Sequence, residues 1–112
     1  MVATLLLTLS LATADNATTY QGTWVTTNRH LEGTLQCTVT RLGDQKWRGD
    51  FSGQWQQQKF SYTVEFSGPP DKLTGKAQID GASYNWTGSM TEKEFTGEFG
   101  GSRYEGSFKM AR

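Results

Sequence analysis

The chain of 112 residues has one cysteine, one histidine and two prolines. A lone Cys37 leaves no internal disulfide to form, so the fold must be held by its core. A lone His30, in a predicted turn, leaves Ser or Cys nucleophiles without the paired base that acyl transfer needs. The same scarcity denies a metal its converging ligands, and no metal or other cofactor is expected. An excess of one charge is also missing. Eleven basic residues balance eleven acidic ones, which removes the electrostatic footprint of a nucleic-acid or anionic-membrane partner. Strong helix formers are sparse beyond residue 15, and no apolar run reaches the length of a membrane-spanning helix.

What the chain does hold is glycine and aromatics, with 13 Gly, four Trp, four Tyr and six Phe. They are ordered as a repeat, apolar-x-Gly-x-apolar. Its copies are Tyr20-Gln-Gly22-Thr-Trp24, Leu31-Glu-Gly33-Thr-Leu35, Trp47-Arg-Gly49-Asp-Phe51, Leu73-Thr-Gly75-Lys-Ala77, Trp86-Thr-Gly88-Ser-Met90, Phe95-Thr-Gly97-Glu-Phe99 and Tyr104-Glu-Gly106-Ser-Phe108. Phe60-Ser-Tyr62-Thr-Val64-Glu-Phe66 keeps the alternation without the central glycine. Eight strands are therefore predicted. Between them stand turn formers such as Asn28-Arg29-His30, Leu42-Gly43-Asp44-Gln45, Gln56-Gln57-Gln58, Gly68-Pro69-Pro70-Asp71, Asp80-Gly81-Ala82 and Gly100-Gly101. Links this short permit only hairpins, so successive strands run antiparallel.

A two-residue period applied to all eight strands puts every aromatic on the glycine-bearing face. The opposite face reads Thr, Gln, Ser and charge, with Val25 as its apolar exception. A sheet with one dry face and nothing else in the chain to cover it must close on itself. The expectation is all-β: a single antiparallel up-and-down meander of about eight short strands closing into a small barrel. A flattened two-leaf sandwich buries the same residues and is the alternative.

Residues 1–14 carry no charge and hold Leu5, Leu6, Leu7, Leu9 and Leu11 before Ala12-Thr13-Ala14. That pattern is expected of a signal peptide removed on export, to the periplasm or the extracellular space, after which no membrane insertion is expected. Residues 15–19 are then a flexible lead and residues 20–112 the single barrel domain, expected to be a monomer. The sequons Asn16-Ala17-Thr18 and Asn85-Trp86-Thr87 matter only where a host glycosylates.

Through Gly22-x-Trp24 the first strand resembles the opening strand of the calycin barrels, the lipocalin and avidin-like proteins. In those families a basic residue of the last strand packs over that tryptophan, and the resemblance implies that role for Arg112. The chain also resembles small uncharacterised exported bacterial all-β proteins, which implies a compartment and no activity. Tyr104-Glu-Gly106-Ser-Phe108 is similar to the start of a MORN repeat, whose longer period and second glycine strand are absent.

Paired carboxylates for acid-base work are available only as Asp50, Asp80, Glu94 or Glu98, on the wet face or in a turn, so an enzyme is not expected. Arg48-Gly49-Asp50 spells an integrin-binding tripeptide but falls in mid-strand, where it cannot protrude as recognition requires. The turns fall alternately at two barrel ends, and those ends differ. One is plugged by Tyr20, Val39, Trp47, Phe66, Leu73, Met90, Phe95 and Met110. The other carries Trp55, Phe60, Tyr62, Tyr84 and Tyr104, and tyrosine hydroxyls want water or a partner. That end is the candidate mouth for a small apolar, aromatic or sugar ligand, with Trp55, Tyr62, Tyr84 and Tyr104 stacking and Asn28, His30 and Gln57 giving polar contacts. The alternatives are rings that merely fill space, or a protein-protein interaction module or inhibitor of the cell envelope using turns or the Thr/Gln-rich outer face.

Overall fold

A computed structural model describes residues 17–79 and 81–112. The predicted signal segment, residues 1–14, lies outside the described residues. Eight strands follow in chain order: β1 Ala17–Thr26, β2 Glu32–Gly43, β3 Lys46–Trp55, β4 Gln58–Ser67, β5 Leu73–Ile79, β6 Ala82–Met90, β7 Glu94–Gly101 and β8 Glu105–Ala111. No helix occurs among the described residues. Each strand pairs antiparallel with its sequence neighbours, and β1 pairs β8 from Gln21↔Ala111 to Thr26↔Gly106. The meander therefore closes into a small barrel, and the sandwich alternative falls.

The glycine repeat has a cross-strand logic. Trp24 lies opposite Gly33, Phe60 opposite Gly53, Trp86 opposite Gly75, Tyr84 opposite Gly101, and Phe99 and Phe108 opposite Gly106 and Gly97. In each pair the ring packs directly on its glycine: a Cβ on Gly33 would stand 2.7 Å from Trp24 Nε1, and one on Gly53 would stand 2.7 Å from Phe60. A strand glycine alone is destabilising, and a facing ring restores the buried area it lacks.

The plugged end is the core. Phe95 and Cys37 are 0 % exposed, Leu73 and Met110 1 %. Phe95 meets Tyr20, Phe66, Trp86 and Phe108 in edge-on or tilted geometry, with centroids 5.2–6.0 Å apart. Polar tips are satisfied at this end: Tyr20 donates its hydroxyl proton to the Thr91 carbonyl at 2.8 Å and Trp47 Nε1 donates to the Gly68 carbonyl at 3.0 Å. The backbone of Met90 donates to Pro70, tying the β4–β5 link across the bottom.

Three expectations need correction. Residues 17–19 are not part of a flexible lead but paired strand, Ala17↔Thr40 to Thr19↔Thr38, because β2 is long enough to partner them and the two Thr hydroxyls meet at 3.0 Å. Gly100 and Gly101 belong to β7, paired with Asn85 and Tyr84, and the turn falls at residues 102–104. Arg112 does not cover Trp24. Trp24 pairs with Phe108, four residues back along a strand rising ~3.3 Å per residue, and the Arg112 guanidinium donates to the Glu92 carbonyl at 3.4 Å, at the plugged end.

Candidate functional site

The mouth end encloses a cavity of about 390 Å³. Its rim and walls include all four stacking candidates, Trp55, Tyr62, Tyr84 and Tyr104. Its floor is formed by Phe51, Trp86 and Phe108, which pack edge-on at 6.0–6.3 Å and separate it from the core. Strand phase explains this. Inward residues of β3, β4, β6 and β8 alternate with solvent-facing Ser, Thr and Gln, so each hairpin delivers a ring to the same end.

Pairing between β4 and β5 covers only Phe66↔Gly75 and Ser67↔Thr74. From Glu65 and Lys76 toward the mouth the two strands separate, although each stays fully paired on its other side. Phe60, Tyr62 and Val64 of β4 and Ala77 and Ile79 of β5 flank this seam and line the cavity. The opposite side of the mouth is latched. Asn28 Nδ2 donates to the Arg103 carbonyl at 3.2 Å, the Glu105 amide donates to Asn28 Oδ1 at 3.1 Å, and the Thr27 amide donates to the Glu105 carbonyl at 2.7 Å.

The three polar candidates are thus placed elsewhere than expected. Asn28 joins two turns and is not free to contact a ligand. His30 and Gln57 are exposed in their turns and do not line the cavity, and His30 has φ 58°, the left-handed conformation of a tight turn. Gln58, Lys59, Thr26 and Arg103 supply the polar part of the lining instead. Arg103 precedes Tyr104 in a turn, and Lys59 lies out of the inward phase, so alternation gave no reason to place either at the cavity. Arg29 stands over the Tyr104 ring, 5.8 Å from its centroid, within cation–π range.

Elsewhere the chemistry is structural. Burial pushes the Cys37 thiol well above its ordinary pKa, with the Asp50 carboxylate adding to the effect, so it stays a protonated, buried thiol at neutral pH. Arg48 and Asp50 pair with each other at 3.5 Å along β3, and Thr63 donates to Asp50 at 2.9 Å, which engages both charged members of that tripeptide. Among the described residues no three His, Cys, Asp or Glu converge as a metal site would need. Comparison with known protein families, with curated proteins and with solved structures gives no match.

Proposed function

We propose that the protein is an exported, non-enzymatic binding barrel whose aromatic mouth takes a small apolar, aromatic or sugar-bearing ligand. The observation that carries this reading is the cavity of about 390 Å³ between Trp55, Tyr62, Tyr84 and Tyr104. Small-molecule sites occupy ~300–1,000 Å³ and combine apolar walls with a few convergent polar groups. At ~30 Å³ per non-hydrogen atom, water's share of its liquid, the space suits about a dozen such atoms. Aromatic rings at the cavity can stack on a sugar or an aromatic face. Export rests on the leucine run of residues 1–14.

Tryptophan fluorescence tests it, because Trp24, Trp55 and Trp86 line the cavity. Titration with naphthalene, phenyl glucoside and octyl glucoside should give a saturable change with at least one of them. Ala77→Phe, which fills the wall at β5, should abolish that change while the thermal midpoint is retained. Flat titrations throughout would overturn the reading.

A second reading has its own observation. On the outer face Gln21, Gln36, Ser52 and Ser61 stand in one cross-strand row, beside the row Thr23, Thr34, Gln54 and Lys59. Such a wide, nearly uncharged polar face suits a protein partner. Gln36→Glu combined with Gln54→Glu should abolish capture of that partner and leave the cavity titrations unchanged.

A further inference from the structure

We infer that the cavity selects an anionic amphiphile, an apolar body of about a dozen non-hydrogen atoms with its anionic head held by Lys59 and Arg103. This rests on the reading of the cavity as a ligand site and adds the charge of the ligand to it.

Charge is distributed one-sidedly here. Among the described lining residues the charged side chains are Lys59 and Arg103, and none is acidic. Glu32 of β2 and Glu105 of β8 are exposed in outer-face phase, as Lys59 is, but unlike Lys59 they are not part of the cavity lining. Neither Lys59 nor Arg103 forms an ion pair among the described residues. Arg103 is held in place by its own backbone, whose carbonyl accepts the Asn28 amide proton. A third cation, Arg29, stands over Tyr104 at the same rim. Beneath them the walls are Leu31, Leu35, Val64, Ala77 and Ile79 together with the rings. A neutral ligand would use the walls and leave the cations idle. A cationic one would be repelled. An apolar body with one negative head satisfies both parts, through burial below and charge-assisted hydrogen bonds above. A planar guanidinium grips a carboxylate or sulfonate with two parallel hydrogen bonds, and the ammonium adds a point charge.

The test is a calorimetric titration of the intact protein with decanoate, 1-decanol and decylammonium, which share one tail. Decanoate should bind about tenfold more tightly than decanol, and decylammonium more weakly than either. The advantage of decanoate should shrink as salt rises, since exposed charges are screened. Lys59→Gln with Arg103→Gln should erase the difference between decanoate and decanol while leaving decanol affinity within twofold. Equal binding of decanoate and decanol to the unaltered protein would overturn the anionic head and leave the apolar cavity standing. A double variant that loses decanol as strongly as decanoate would also overturn it, because the cations would then act through the fold. Absence of all binding, by these and by the neutral aromatic probes, would overturn both.

Discussion

A methyl group on Gly22 would run into the Lys109 carbonyl and stand 2.7 Å from Met110 Cα, both backbone atoms of the strand that closes the barrel. Flexible side chains could step aside, but two paired strands cannot. Gly22→Ala should therefore cost about 1–3 kcal/mol in chemical denaturation, the range for forced overpacking. Gly43→Ala has nothing within 4 Å of the added carbon and should leave stability unchanged or slightly raised. Cys37 makes a prediction about pH. Its proton is bound more tightly in the folded than in the unfolded chain, so above the ordinary thiol pKa of about 8.5 the unfolded state ionises and the folded state does not. Stability should fall by up to about 1.4 kcal/mol per pH unit as pH rises past that value. Tyr20, raised by burial against an opposing effect of Arg112, should add to the fall further up the scale. Denaturation midpoints of Cys37→Ala should lack the earlier part of that slope. A slope the variant retains would assign it to other groups.

At the scale of elements, the hairpins were legible because each strand repeats the same signature. Trp24, Phe60, Trp86, Phe99 and Phe108 could be put in one phase from alternation alone, and turn residues marked the links except that between β7 and β8, where Gly100 and Gly101 belong to the strand. Closure followed from the need to bury that phase. What alternation does not carry is which edges stay paired along their length. Nothing in Phe60-Ser-Tyr62-Thr-Val64 shows that β4 leaves β5 after Phe66↔Gly75, because a strand's two edges share one sequence. Neither does a turn composition distinguish Asn28 as latch from Asn28 as ligand contact, since both use the same amide. The structure separates them: Asn28→Asp keeps the acceptor for the Glu105 amide but puts an oxygen against the Arg103 carbonyl. That variant should lose about 1 kcal/mol despite its matching shape. The seam makes a parallel expectation for exchange. Alternate amides of β4 between Gln58 and Glu65 face β5 without ladder partners and should exchange quickly, while those facing β3 stay protected.

For the whole molecule, the two barrel ends differ in packing, and on the proposed reading one serves stability and the other recognition. Phe95, Leu73, Met110 and Cys37 are sealed under turns that accept hydrogen bonds from Tyr20, Trp47 and Met90, so this half opens only when the chain unfolds. The mouth keeps a cavity and an unpaired seam at some cost in buried area, which is where a binding protein can place weakness without losing its fold. A ligand seated between Tyr62, Tyr84 and Trp55 binds the folded chain and not the unfolded one. At a hundred times its dissociation constant it should raise global stability by about 2.7 kcal/mol. Hydrogen exchange reads both halves at once. Core amides of Cys37, paired with the floor residue Phe51, and of Phe95, packed against that floor, should slow about a hundredfold, because they exchange through the same global opening. Seam amides of β4 should slow only as far as the ligand bridges or narrows the gap. Slowing confined to the seam, with the core unchanged, would mean that the ligand reorders the mouth without drawing on the free energy of the folded barrel, and would argue against binding within the cavity.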